Sequence, residues 1–499
     1  MGTRLGARNG PHRHIFPPRM IPARLRTWLP ALAGPIAAAI VWTLPAPRNM
    51  ASAAHAVAGL ATWMAIWWLT ASVPLAVTAL LPLALLPLLG TIRIDQVARP
   101  YADPIIFLFM GGFFLAAATQ RWQLHRRLAL GVIATVGTAP SRLVLALMLA
   151  TAFVSMWISN TASAVMMLPI AGAVLELARR ESPESAPNLG RALILGTAYA
   201  ASIGGVATLI GTPPAAIFAA AAKAQGTPIS FAAWMTVGVP IAAILLAACW
   251  LLLTRLLFPV RGTLPGVHEL VARERAGLGP WTAGQRITVT VLVLAALAWI
   301  FREPKTIGEF TLPGLVNVIP GLSDAGIAIG AALVLFLAPI ATRERQFTLD
   351  WESAERIPWG VLVLFGGGLA LAEAFTASGL AAWIGQQLEG LRGAPPVLVL
   401  GTVALLFVLL TELTSNTATA AMAMPIMAAL APAVGMAPIT LMATAALAAA
   451  LGFMLPVGTP PNALAYGTGA VASGEMAKAG VWMDVAAAVV ITVAVLLWA

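Results

Sequence analysis

The stretch SNTASAVMMLP, from Ser159 to Pro169, returns as SNTATAAMAMP from Ser415 to Pro425. Eight of the twelve positions in 159–170 recur in 415–426: Ser, Asn, Thr, Ala, Ala, Met, Pro and Ile. A glycine-rich span precedes each copy, at Gly111-Gly112 and at Gly366-Gly367-Gly368. Gly-Thr-Pro-Pro follows each, at Gly211 to Pro214 and at Gly458 to Pro461. That shared order marks an internal duplication. Both copies lie deep in apolar sequence, where small polar residues and helix breakers are costly unless they face protein or a cavity. A polar turn and a breaker in corresponding places of two halves is how many transporters build a binding site.

With 60% hydrophobic residues, 10% charged residues and a mean hydropathy of +0.89, the chain reads as an integral membrane bundle. Apolar runs long enough to cross a bilayer (~20 residues) recur from Trp28 to Trp498, and no polar segment is long enough for a separate soluble domain. The net charge of +10 sits in loops between apolar spans, so topology accounts for it and a nucleic-acid partner is not expected. Cys249 is the only cysteine, which excludes an intrachain disulfide and a cysteine metal site. The histidines, His12, His14, His55, His125 and His268, lack metal-ligand spacing. No nucleotide-binding loop, heme motif or hydrolase constellation occurs, so the chain is not expected to be an enzyme.

The spans predict an all-α integral membrane protein of the inverted-repeat transporter kind, with two re-entrant hairpins, two broken helices and about 11 transmembrane segments. Helices are expected near 28–46, 53–71, 72–91 and 104–120. A re-entrant hairpin follows at 142–178, then a broken helix at 190–223 and a helix at 231–258. The second half repeats this, with spans near 284–301, 323–341 and 359–376, a hairpin at 395–432, a broken helix at 438–470 and a last span at 481–498. The domains read as a basic cytoplasmic tail (1–27), scaffold helices (28–103), a first inverted repeat (104–258), a cytoplasmic loop with scaffold helices (259–358) and a second repeat (359–499). Residues 1–27, with Ala51 to Ala54 as a cleavage region, also fit a signal peptide; the long arginine-rich start favours an uncleaved first helix.

Charge orients this arrangement. With the N-terminus inside, the segments 1–27, 121–142, 179–191, 255–286, 343–356 and 473–480 are cytoplasmic and hold 22 of the 29 Lys and Arg residues. The C-terminus then lies outside, in a bacterial inner membrane. The first hairpin enters from the cytoplasm and the second from outside, so the repeats have opposite topology. Two ordinary pairs of spanning helices would leave a similar charge total.

A Ser-Asn-Thr turn offers hydroxyls, an amide and unpaired backbone N–H groups at the start of the returning helix, which favour an anion. Carbonyls at the end of the incoming arm can coordinate a small cation. A simple N-cap at a membrane turn is the plainer reading, weakened by the duplication. Gly-Thr-Pro-Pro breaks a helix through proline's missing donor and glycine's freedom; a structural kink is the plainer reading there. Ser155 and Thr411 each lie four residues before the motif serine, on the same helical face, where a hydroxyl can join a cation shell. Glu412 is an intramembrane carboxylate, a functional candidate or a structural partner of hydroxyls or backbone N–H groups.

SNTASAVMMLP, SIGGVATLIGTPP, TELTSNTATAAMAMP and LPVGTPPNA resemble the divalent anion/sodium symporter family, which carries di- and tricarboxylates or sulfate. The resemblance covers roughly 50–499. It implies a homodimer in the lipid bilayer, a scaffold and a moving transport domain, an elevator-type motion, and sodium as the coupling ion. By that similarity Asn160, Thr161, Asn416 and Thr417 contact substrate carboxylates, with Thr212, Thr459 and Pro460 nearby. One sodium site draws on Ser155, Ser159, Asn160 and Gly211; the other on Thr411, Ser415, Asn416 and Gly458. Ala215 departs from the pattern, standing where the second breaker has Asn462. The function implied is sodium-driven import of a C4-dicarboxylate such as succinate, malate or fumarate. A sodium-independent exchanger, a sulfate or citrate carrier, and, from another class, an anion channel are the alternatives.

Overall fold

The computed structural model describes the chain except residues 1–22, 138, 263, 265, 308–309, 342–345, 388–392 and 499, so His12, His14 and most of the basic tail lie outside the described residues. Helices α1 (Ala23–Thr43) and α2 (Ser52–Thr70) pack on each other. The indole N–H groups of Trp67 and Trp42 donate to the Ala31 and Ala56 carbonyls at 2.7 and 2.9 Å. The tail expected to reach residue 27 ends earlier, because α1 is already helical at Ala23.

The span expected at 72–91 is not one helix. It is two short ones, α3 (Leu75–Thr78) and α4 (Leu81–Leu88), followed by α5 (Ile94–Ala98). Prolines at 74, 82 and 87 fragment the segment. The break is put to use. A Cβ on Gly367 would stand 2.3 Å from the Ala79 carbonyl, so the glycine-rich span of the second half packs directly against it.

Next come α6 (Pro104–Arg121), with Asp103 as N-cap and Pro104 in its first turn, and the amphipathic α7 (Leu124–Val136). Then α8 (Pro140–Ser155) and α9 (Asn160–Glu181) form the first hairpin, and α10 (Ala186–Gly205) and α11 (Pro213–Ala224) the first broken helix. Helix α12 (Phe231–Leu251) closes with a π-helical turn. It is followed by α13 (Val267–Gly277) and α14 (Ala283–Ile300), a hairpin of β1 (Lys305–Ile307) and β2 (Phe310–Leu312), then α15 (Asp324–Leu337). A second small hairpin, β3 (Pro339–Ala341) with β4 (Gln346–Phe347), leads to α16 (Trp351–Ala354).

The second half runs α17 (Trp359–Ala377), α18 (Leu380–Gln387), the hairpin α19 (Pro396–Leu413) and α20 (Asn416–Ala433), the broken pair α21 (Pro438–Ala449) and α22 (Pro460–Gly467), and α23 (Ser473–Trp498). Residues 473–480, expected as a cytoplasmic loop, are instead the first two turns of α23, where Ala472 accepts the N–H groups of Glu475 and Met476. Among the described residues seven helices are long and apolar enough to cross a membrane, and five shorter apolar helices accompany them. The short ones include α8 and α21, as hairpins and broken helices require.

The two halves interlock. Helix α10 packs on both arms of the first hairpin, and α21 on both arms of the second. The returning arm α9 meets α22 of the other half, while α20 meets α11. Tyr199 of α10 fastens the exchange, its hydroxyl donating to the Phe453 carbonyl at 2.8 Å.

Candidate functional site at the two broken helices

Each half folds its motif into the same turn and helix start, although the side chain of Ser159 caps its helix and that of Ser415 does not. In the first, α8 ends at Ser155 and the chain turns through residues 156–158. Ser159 then caps α9 by accepting from the Ala162 N–H at 3.3 Å. Ser155 is fully buried, and its hydroxyl donates to the Ala201 carbonyl at 2.6 Å. Asn160 opens α9 with its amide nitrogen among acceptors: Ser155 Oγ at 2.9 Å, the Ala201 carbonyl at 3.1 Å and the Gly211 carbonyl at 3.2 Å.

In the second half Thr411 takes the place of Ser155, also fully buried, with Oγ1 2.8 Å from the Ala449 carbonyl and 2.9 Å from Asn416 Oδ1. Asn416 Nδ2 donates to the Ala450 carbonyl at 3.4 Å. Hydroxyl, amide and carbonyls of the broken helix therefore converge twice. Such oxygen-rich, uncharged sets suit a small hard cation. Among the described residues no cluster of His, Cys, Asp and Glu with metal-ligand geometry occurs.

Helix starts complete the picture. The four motifs initiate α9, α11, α20 and α22; the first turns of α9 and α20 keep N–H groups without intrahelical partners, whereas α11 and α22 open on two prolines that carry no N–H. Thr161 is exposed in the first turn of α9, and Thr417 is half-buried in that of α20. Thr212 and Thr459, each 2% exposed, are the N-cap residues of α11 and α22, and Pro460 is exposed beside Thr459. Asn160 and Asn416 are turned onto their own broken helices, and their helices present the neighbouring threonines.

The breaks themselves are braced differently. In the first, the Thr208 hydroxyl donates to the Met156 carbonyl at 2.5 Å and accepts from the Gly211 N–H at 3.2 Å. In the second, Asn462 Nδ2 ties the Gly452 and Leu455 carbonyls together at 3.2 and 3.1 Å. Ala215, the counterpart of Asn462, is 1% exposed and carries no polar group, so the first break is braced by Thr208 and by the Trp234 indole N–H, which donates to the Val206 carbonyl at 2.9 Å.

Glu412 meets backbone N–H groups, one of the partners the sequence offered it: at 3% exposure, it accepts from the Met454 and Leu455 N–H groups at 2.7 Å each. Asp484 of α23, 2% exposed, accepts from the next N–H along, that of Phe453, at 3.1 Å. Sequence reasoning passed over Asp484, Thr208 and Tyr199. The rule that marks Glu412, an acid inside an apolar span, would have marked Asp484. Nothing local distinguishes Thr208 or Tyr199.

The model of the sodium:sulfate symporter transmembrane region matches residues 25–499. A sodium-dependent dicarboxylate transporter, SdcS, of Staphylococcus saprophyticus is 41% identical over 472 residues, covering 93% of this chain and 90% of that protein. Its namesake in Staphylococcus aureus strain USA300 is 42% identical over 451 residues, covering 88% of this chain and 85% of that protein. Among solved structures, the Alcanivorax borkumensis YdaH transporter superposes with a TM-score of 0.55 at 15% identity, covering 88% of this chain and 98% of that one. Neisseria gonorrhoeae MtrF gives 0.52 at 13% identity, covering 81% and 83%. At those identities the structural likeness speaks for the fold alone. The match along almost the whole sequence decides the family: this chain is a multi-pass membrane protein of the sodium:sulfate symporter family, a family of transporters and not of enzymes.

Proposed function

We propose that the chain is a sodium-coupled importer of C4-dicarboxylates such as succinate, malate and fumarate. The observation that carries this is the twofold convergence of a buried hydroxyl, a motif amide and broken-helix carbonyls, at Ser155–Asn160 and Thr411–Asn416, beside four helix starts. Carbonyl and hydroxyl oxygens take sodium at one site with Ser155, Ser159, Asn160 and Gly211, and at the other with Thr411, Ser415, Asn416 and Gly458. Helix N-termini with Asn160, Thr161, Thr212, Asn416, Thr417, Thr459 and Pro460 take a dianion without an arginine. Bound sodium offsets the substrate's charge, which couples the two ligands. The relatives named as sodium-dependent dicarboxylate transporters support this choice of ion and substrate.

In the same reading the repeats form a transport domain that moves by an elevator-type step against scaffold helices, in a homodimer of the bacterial inner membrane with the N-terminus cytoplasmic and the C-terminus outside. Crevices of about 370 Å³ beside α9 and about 640 Å³ beside α20 support alternating access, since Pro169 lines one and its repeat counterpart Pro425 the other. The deciding experiment is uptake of labelled succinate, citrate and sulfate by purified protein in liposomes, each with and without a sodium gradient. Concentrative succinate uptake that requires sodium is expected. Equal rates with and without the gradient would defeat the coupling, and uptake only against preloaded substrate would make the protein an exchanger.

A further inference from the structure

Three consecutive N–H groups in the second break, those of Phe453, Met454 and Leu455, are all held by buried carboxylates from two other helices. The carbonyls of the same stretch are held from the opposite side. Phe453 O accepts from Tyr199, and Gly452 O and Leu455 O accept from Asn462. The Glu412 and Asp484 side chains also meet each other, yet Asp484 Oδ2 is buried without a donor. Glu412 reaches further: a Cβ on Gly458 would lie 2.6 Å from its Oε2, and one on Gly452 3.2 Å from its Oε1. The carboxylate is therefore wedged between the two glycines that bound the unwound segment.

The first break shows that none of this is needed merely to satisfy a broken helix. There Met156 occupies the place of Glu412 and Thr208 that of Leu455, and neutral groups brace the gap: the Thr208 hydroxyl and the Trp234 indole N–H, which donates to the Val206 carbonyl at 2.9 Å. Acids at membrane depth are expensive where neutral groups suffice. Their presence in one repeat only, next in sequence to Thr411 and against Gly458, points to a demand that the first repeat does not have.

We propose that Glu412 and Asp484 are positioning residues for the cation of the second repeat. By pulling the N–H groups of 453–455 toward themselves they fix the unwound segment whose preceding carbonyls, Ala449 and Ala450, face Thr411 and Asn416. Glu412, whose two oxygens each accept from an N–H group, also places negative charge behind that oxygen set. The two cation sites are then unequal: the second is the tighter, and it orders the segment from which α22 starts. This rests on the sodium-coupled reading above.

The test is the sodium dependence of succinate uptake by the reconstituted full chain, in the wild type, Glu412→Gln, Asp484→Asn, and the double variant Glu412→Met with Leu455→Thr. The double variant copies the neutral brace of the first repeat. Sodium-induced thermal shift of each purified variant, without substrate, gives a readout independent of transport. Half-saturation by sodium is expected to rise roughly 10–100-fold in all three variants, as for residues that support metal ligands. The succinate KM at saturating sodium should stay within about twofold. A double variant that folds and regains the wild-type sodium half-saturation would reduce the acids to structural braces and overturn the proposal. Sodium-independent uptake by the wild type would instead sink the coupled reading and the proposal with it.

Discussion

Gly458 is required by an acid far away in sequence, since the Cβ it lacks would meet Glu412 Oε2 at 2.6 Å, whereas Gly211 is required by backbone, with the Gly205 carbonyl at 2.4 Å and that of Ser155 at 2.9 Å. A side chain can shift; a carbonyl inside two packed helices cannot. Gly211→Ala is therefore expected to cost more than Gly458→Ala, with overpacking in the range of ~1–3 kcal/mol, read as the larger drop in melting temperature in detergent. The opposite ranking would mean that the second break is the more rigid. Asn462 gives a second contrast. Asn462→Ala removes two ties within the loop and leaves buried carbonyls unpaired, a loss of ~1–3 kcal/mol. Circular dichroism melts of that variant should show it, and an unchanged melt would assign the loop's rigidity to Glu412 and Asp484 alone. The motif residues were legible from sequence because duplication singled them out. The partners were not: Asn160 and Asn416 could be named as site residues, but that both turn onto carbonyls of their own broken helices depends on folded geometry.

Hairpins and broken helices were legible as elements, because proline, glycine and N-capping residues mark their ends within the motif itself. The division of 72–91 into α3 and α4 was harder to see, since its break acquires a purpose only when Gly367 packs against Ala79. Helix α7 was hidden inside a stretch read as a charged loop. It carries His125, 8% exposed, lining the crevice with Arg126, Glu274 and α9, while Arg126 and Glu274 pair with each other. Burial pushes the His125 pKa down to about 4, against a rise from the Thr119 carbonyl and a further fall from the Arg126 charge. A histidine whose folded pKa is depressed binds its proton more readily unfolded. Its contribution to stability is intact above about 6.5 and is lost as pH falls from there toward 4. The melting temperature should decline across that window, and His125→Leu should flatten the decline. A variant with the wild-type slope would assign the acid sensitivity to other groups.

At the scale of the molecule the repeats are not equivalent in their surroundings. Helix α20 is covered by α2, α17 and α18, whereas α9 meets the corresponding part of the structure at α7 and, through Ala162 and Met166, at the small cluster around Ala116 of α6. On α9 Val165, Pro169 and Ala173 are exposed, while their counterparts on α20, Ala421, Pro425 and Ala429, are buried. Little in the duplicated sequence distinguishes the two helices in this way, since proline and alanine recur at two of the three positions and only Val165 differs, from Ala421. Under the proposed alternating access, the difference would belong to one conformation of a pair, with α9 the more exposed of the two helices. Cysteine labelling reads it directly, because the only native thiol, Cys249, is fully buried and leaves a silent background. In the absence of sodium and substrate, Ala173→Cys is expected to react with a water-soluble maleimide and Ala429→Cys, at 5% exposure in the wild type, to be protected. Adding sodium and succinate to the reconstituted protein should slow the first and permit the second, since the alternate state exchanges the two environments. Labelling of Ala173→Cys that ignores both ligands would mean that the openness of α9 is a fixed property of the fold, and alternating access would then have to be sought in other elements.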